Sequence, residues 1–176
     1  SRYFVDRETA PGIGFSPVRT PGHPPPIGHQ LTELSAGALN ALRSTLEAEH
    51  AAVWVYGLST AFAEDSGVST TVDDALVTHK SQRDELHRLI RDGGHTPPSA
   101  QTAYATPEEV TDQSSAMRAL VTTEEDCQVG WRSVLENTED PTTRQVSLDG
   151  LTTSAVRATR LRLALGEQPG ATAFPG

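Results

Sequence analysis

The chain has 176 residues, with 23 acidic side chains against 14 basic ones and a net charge of −9. This length fits one domain with a short appended segment. Its acidic character argues against sequence-independent nucleic-acid binding, which requires a cationic face. No apolar run approaches the roughly 20 residues that cross a bilayer, so we expect no nucleic-acid partner and no membrane span.

The first segment, residues 1–30, is rich in proline and glycine. Prolines at positions 11, 17, 21, 24, 25 and 26 exclude a helix and favour polyproline II or irregular coil. A segment of this composition cannot bury a core of its own. We therefore predict an extended N-terminal arm at residues 1–30 that contacts a protein partner, followed by a domain at residues 31–176.

Two segments with apolar residues spaced three and four apart follow the arm, a pattern typical of one buried helix face. The first predicted helix begins near Ser35 and runs to about Asp65. The second follows residues 69–71 and stops at Gly93. Because only a few residues separate them, we expect the two helices to form an antiparallel hairpin.

The second half of the chain contains another pair of helices. Thr106-Pro107, followed by two glutamates, predicts the start of helix 3 with a cap, a proline at the first position and acids against the helix dipole. Helix 4 is predicted from Asp140-Pro141 to about Gly166. The short connection between helices 3 and 4 predicts a second antiparallel hairpin.

A longer connection, Gly93 to Thr106, joins the two hairpins. At roughly 3.3 Å per residue, its fourteen or so residues reach about 45 Å, the length of a long helix. Two hairpins joined by one long crossover between helices 2 and 3 form a ferritin-like bundle. We therefore predict an all-α fold, an antiparallel four-helix bundle of the ferritin-like kind.

Four polar residues lie on or beside the apolar seams, where burial is costly unless they are paired. They are Glu49 and His50 on helix 1, His79 on helix 2 and Glu124 on helix 3. Carboxylates and imidazoles are ligands of iron, manganese and zinc. The four residues are therefore a candidate site for a single divalent metal ion.

A carboxylate-bridged di-iron site needs more ligands than this, including a Glu-x-x-His pair from each of two helices. At the corresponding places, helix 2 has Leu76-x-x-His79 and helix 4 has Asp149-x-x-Thr152. The pair on helix 2 lacks its glutamate. The pair on helix 4 lacks its histidine and has an aspartate in place of the longer glutamate. We predict that a complete di-iron site is missing.

A metal-free network of the same polar residues is the alternative to a metal site. Arg83, one turn beyond His79, or Arg157 on helix 4 could pair with the two glutamates. A buried guanidinium satisfies carboxylates and repels a cation. We favour this network, and so predict no cofactor, with a single iron, manganese or zinc ion as the alternative.

Several stretches in order, LEAEHAAVWVYG, HKSQRDELHRLIRDGGHTPPSAQTAYA, VTTEEDCQVGWRSVL and the closing ATAFPG, resemble an actinobacterial ferritin-like family of unassigned function. The resemblance covers about residues 36–176 and omits the arm. It implies the ferritin-like fold and brings no established activity. Members of that family generally lack ligands that ferritins and rubrerythrins have.

Two functions are consistent with these features. The first is an accessory or docking protein that uses residues 1–30 to bind a larger assembly. The second is a metal-binding protein or metal-dependent oxidoreductase with a reduced Glu/His site.

The lone Cys127 excludes an internal disulfide and is typical of a small buried apolar residue. We expect a cytoplasmic protein, with export after leader removal as the alternative, and a possible homo-oligomer.

Overall fold

The computed structural model describes residues 33–167, and these residues form a bundle of helices. The four helices are α1 (Ala36–Ser59), α2 (Ser66–Asp92), α3 (Gln113–Asn137) and α4 (Pro141–Ala164). A single turn of 3-10 helix, Thr60–Phe62, follows α1. No strand occurs between residues 33 and 167, which confirms the predicted all-α four-helix bundle. The predicted arm, residues 1–30, lies outside the described residues.

Contacts between α1 and its neighbours set the directions of the helices. Gly37 lies against Asn137 and Gly130 lies against Thr45, so α1 and α3 are antiparallel. Gly93, just past the end of α2, lies against Leu34 before the start of α1, so these two helices are also antiparallel. It follows that α2 and α3 run in the same direction.

The connection from Gly93 to Asp112 accordingly runs along the length of the bundle. Arg43, near the start of α1, donates to the carbonyl of Thr96 at 3.4 Å. Farther along α1, the ring of Trp54 lies 6.2 Å from that of Tyr104. At the far end, the Gln113 side-chain oxygen accepts two backbone N–H bonds from the residues between α1 and α2. These contacts confirm the predicted long crossover between the second and third helices.

The third helix begins later than the sequence predicted. Asp112, not Thr106, is its cap, because the Asp112 carboxylate accepts the Ser115 N–H at 2.7 Å and the Ser115 hydroxyl accepts the Asp112 N–H at 3.1 Å. This reciprocal capping box satisfies two free N–H groups at once. The predicted start at Pro107 therefore belongs to the crossover, which is longer than expected.

Helix α4 has both of its predicted termini. The Asp140 carboxylate accepts the Thr143 N–H at 2.8 Å, and Pro141 occupies the first helical position. At the other end, Gly166 has a φ of +77°, and the Glu167 N–H reaches the Arg162 carbonyl at 2.9 Å. This is a Schellman motif, which needs a left-handed residue and therefore favours glycine.

Small residues let α3 and α4 approach closely. A Cβ atom at Gly150 would lie 2.5 Å from the Trp131 ring, which is a steric clash. The indole is therefore seated directly on the α4 backbone. Leu42, Leu46, Leu120 and Val134 are also fully buried and belong to the same hydrophobic core. Within the described range, no helix combines the length and the apolar character needed to cross a bilayer.

Candidate functional site

Three of the four predicted site residues meet in the centre of the bundle. Glu49 on α1, His79 on α2 and Glu124 on α3 each have no solvent-exposed surface. His79 Nδ1 lies 2.6 Å from Glu49 Oε2, and its Nε2 lies 3.1 Å from Glu124 Oε1. One imidazole thus bridges two carboxylates that come from different helices.

Three further side chains complete this core network. The Trp131 indole N–H donates to Glu49 Oε1 at 2.8 Å, and the Tyr56 hydroxyl donates to Glu124 Oε1 at 2.5 Å. Arg157, from α4, donates through Nη1 to the same Glu124 oxygen at 3.1 Å. We use the name core network for these donors and acceptors: Glu49, Tyr56, His79, Glu124, Trp131 and Arg157.

The charge of His79 follows from its two partners. Burial alone would lower the pKa of His79, but hydrogen bonds to Glu124 and Glu49 and the charges of both carboxylates outweigh burial and raise the pKa from 6.5 to about 9. His79 is therefore an imidazolium at neutral pH, and both ring nitrogens donate. Two carboxylates then face two cations, His79 and Arg157, so the charges of the network sum to zero.

The two oxygens of the Glu124 carboxylate differ in their hydrogen bonding. Its Oε1 atom accepts from three donors, whereas its Oε2 atom is buried and has no hydrogen-bond partner among residues 33–167. Burial would raise the pKa of Glu124, but His79, Arg157 and the Tyr56 hydroxyl lower it below its ordinary value. Glu124 is therefore ionised at neutral pH.

Cys127, one turn beyond Glu124, also lies near the site, although the sequence analysis treated it only as a small buried apolar residue. Its sulfur, one oxygen of Glu49 and one nitrogen of His79 all lie within 4.8 Å of one another. Burial, together with the charges of Glu49 and Glu124, raises the pKa of this thiol well above its ordinary value. The thiol is thus protonated and weakly nucleophilic. Its position three residues after Glu124, on the same helix face, is the signal that could have identified it.

His50 is not part of the core network. Its Nε2 atom lies 3.2 Å from the Pro98 carbonyl oxygen in the crossover, to which it donates, and its ring meets the edge of His87 at a centroid distance of 5.3 Å. Adjacent residues of a helix point about 100° apart. Glu49 consequently faces the core, whereas His50 faces the crossover.

Of the two predicted arginine partners, Arg157 and not Arg83 pairs with the buried carboxylate. Arg83 forms an ion pair with Asp84 at 2.8 Å near the surface. The Arg157 side chain is only 13% exposed and reaches Glu124. Of the two arginines, Arg157 is therefore the one that belongs to the core network.

The comparisons with known proteins give a family and a fold. The family described as Domain of unknown function (DUF4439) matches residues 41–176. The crystal structure of a conserved hypothetical protein, rv2844, from Mycobacterium tuberculosis is 35% identical, covers 74% of this chain and 98% of that chain, and has a TM-score of 0.70. No curated protein matches the chain.

A second solved structure shows likeness of fold alone. It is a DUF305 fragment from Deinococcus radiodurans, 10% identical, with a TM-score of 0.62 over 76% of this chain and 98% of that one. The family match, by contrast, spans most of the sequence and all of α2, α3 and α4. The chain belongs to the family described as Domain of unknown function (DUF4439).

Proposed function

We propose that this protein is a ferritin-like bundle without a complete di-iron site, and that it works as an accessory or docking protein. The observation that carries the proposal is the Arg157–Glu124 ion pair at 3.1 Å. A guanidinium at this place supplies the positive charge that a metal ion would otherwise bring. The relative from Mycobacterium tuberculosis is consistent with an actinobacterial family.

The positions that a di-iron site would use support the same reading. Leu76 replaces a glutamate on α2, and Thr152 replaces a histidine on α4. Asp149, the remaining carboxylate of that pair, is exposed and accepts from Gln145 at 2.9 Å. Neither α2 nor α4 therefore adds a carboxylate to the core, and two metals could not share bridging ligands there.

The docking role is assigned to residues 1–30. This proline-rich segment precedes the family match, which starts at residue 41. An extended proline-rich segment suits recognition by an aromatic-lined groove of a partner, because little conformational entropy is lost on binding. The proposal places the protein in the cytoplasm, with export as the alternative, and cell fractionation would distinguish the two.

The test compares the full chain with a variant that begins at residue 31. We expect circular dichroism and thermal unfolding of the two proteins to agree, while only the full chain co-purifies with a larger assembly from its native cells. A matched control keeps the length and composition of the arm but scrambles residues 1–30. Equal association by all three proteins would refute the docking role.

A second candidate function, metal binding, rests on two observations in the core. Within the described part of the chain, Glu124 Oε2 is buried without a partner, and Glu49, His79 and Cys127 offer ligand atoms within 4.8 Å of one another. A zinc, iron or manganese ion bound there would have to displace Arg157 from Glu124 and the proton from His79. His50 would not be among its ligands, because it contacts Pro98.

Cobalt(II) substitution separates the two candidates. Bound to a thiolate, cobalt has an intense near-ultraviolet charge-transfer band, which the Cys127→Ser variant would lose. Metal analysis of protein purified without chelator, before and after reconstitution, gives the stoichiometry. Close to one ion per chain supports the metal-binding function; a metal-free protein after reconstitution excludes it and leaves the docking proposal intact.

A further inference from the structure

A groove of about 600 Å³ opens between the first half of α2 and the second half of α4. The pairs α1–α2, α1–α3 and α3–α4 pack closely, whereas α2 and α4 make little direct contact. The volume lies within the range of sites that bind small molecules, about 300–1,000 Å³. None of the described lining residues is among the ligands of the candidate metal site, Glu49, His79 and Cys127.

The walls of this groove are mainly apolar. Its apolar lining includes Val68, Val72, Ala75, Met117, Val156 and Leu161. Val156 is 44% exposed although it is a large hydrophobic residue. An apolar ligand lying on these side chains would gain by removing them from water, at roughly 25 cal/mol per Å².

Two arginines, Arg157 and Arg160, line the α4 side of the groove. They are three residues apart, so they lie on one face of the helix. Arg160 has no hydrogen bond or ion pair with any residue between 33 and 167, and Arg157 uses only its Nη1 atom. Several N–H donors of the two guanidinium groups therefore remain for a ligand.

The acidic residues of the lining are placed less favourably for a cationic ligand. Asp65 already accepts from the Gln113 side chain at 2.7 Å. Asp74, on α2, is exposed and is the one carboxylate of the lining whose side chain has no partner in the described part of the chain. Arg157, in contrast, is mostly buried, so its attraction for an anion is less screened by water.

We propose that the groove binds an aliphatic carboxylate, with its chain on the apolar walls and its carboxylate accepting N–H bonds from Arg157 and Arg160. Guanidinium groups match the geometry of a carboxylate and bind it through paired hydrogen bonds. Asp74 weakens this binding by repulsion. The site requires no metal, and the residues assigned to it all lie between 65 and 164.

Isothermal titration of the full chain with decanoate, below its micelle concentration, tests the proposal. Decanol and decylamine are matched probes with the same chain and a neutral or cationic head. We expect decanoate to bind at least tenfold more tightly than decanol, and decylamine not to bind. The Arg160→Gln variant should weaken decanoate binding about tenfold, and Asp74→Asn should strengthen it.

The control variant is Arg91→Gln, which removes the same charge from an exposed position outside the groove. It should bind decanoate like the unmodified chain. A Val156→Asp variant, changed at an exposed position that folding should tolerate, should abolish binding by placing an anion in the apolar wall. Three outcomes would overturn the proposal. They are equal affinity for decanoate and decanol, equal effects of Arg160→Gln and Arg91→Gln on decanoate binding, and no binding of decanoate by the full chain.

Discussion

The indole ring of Trp131 rests directly on Gly150, where an added Cβ atom would lie 2.5 Å from the ring. We therefore expect Gly150→Ala to lower the free energy of unfolding by about 1–3 kcal/mol, because a well-packed core resists even one added methyl group. Gly57→Ala is the control: no atom of the described residues lies within 4 Å of its Cβ position, and alanine there should stabilise α1 by about 0.5–1 kcal/mol. Urea unfolding measures both, and a stabilised Gly150→Ala protein would contradict this packing.

The Trp131 indole N–H also satisfies one oxygen of the buried Glu49. Trp131→Phe should cost about 1–3 kcal/mol, since it leaves a buried carboxylate oxygen without its donor and removes part of a core side chain. Trp54→Phe is the matched variant, because Trp54 is only partly buried and contacts Tyr104 through its ring. Thermal unfolding of the two variants should separate them clearly; equal losses would argue against the Glu49 contact.

Removing His79 should destabilise the bundle more than either tryptophan change. His79→Ala leaves Glu49 and Glu124 facing each other in the core, each without a donor that it has now. Removing one partner from a buried charge network typically costs about 3–5 kcal/mol. His87→Ala, at a partly buried histidine outside the core network, is the control and should cost much less.

The stability of the protein should depend on pH through His79 and Glu124. The folded-state pKa of His79 is raised from 6.5 to about 9, so its stabilisation is complete below pH 6.5 and is lost as pH rises through 9. At about 1.4 kcal/mol per pKa unit, this loss is on the order of 3 kcal/mol. The pKa of Glu124 is lowered, so its contribution is lost as pH falls below its ordinary value of 4.5.

Urea unfolding at a series of pH values checks this profile. We expect the greatest stability between about pH 5 and 6.5, with a decline on each side. In a His79→Gln variant the alkaline decline should be reduced, because no proton is released there. Parallel profiles for the two proteins above pH 6.5 would show that His79 is not charged in the folded state.

The Cys127 thiol should be unreactive in the folded protein. It is fully buried, and its pKa is raised by burial and by the neighbouring carboxylates, so little thiolate forms and reagents cannot reach it. Ellman's reagent at pH 8 should react with the native chain at least about a hundredfold more slowly than with the chain in guanidinium chloride. Rapid reaction of the native protein would contradict this burial.

Much of the fold could be predicted from the sequence, because local signals determine it. The apolar spacing marked the four helices, and the connector lengths gave two hairpins and a crossover that contacts along α1 confirm. The start of α3 was predicted wrongly, because the residue types at Thr106-Pro107 are as typical of a helix N-terminus as those at Asp112 and Ser115. The capping box between Asp112 and Ser115 satisfies more backbone N–H groups and therefore sets the boundary.

The candidate site was predictable only in part. Glu49, His79 and Glu124 could be identified because a polar residue on an apolar seam must face a partner. The choice between Arg83 and Arg157 depends on how α2 and α4 are rotated about their axes, which sequence spacing does not determine. His50 shows the same limit, because its partner, Pro98, belongs to a connection without periodicity.

Each helix contributes one charge to the core network: Glu49 from α1, His79 from α2, Glu124 from α3 and Arg157 from α4. A partly assembled bundle that lacks any one helix would therefore bury an uncompensated ion, as would a helix shifted by one turn along its neighbours. Such intermediates are disfavoured by several kcal/mol. We expect the described domain to unfold as a single cooperative unit. Packing of small aliphatic side chains alone would allow several alignments of the helices, and the four charges select one of them.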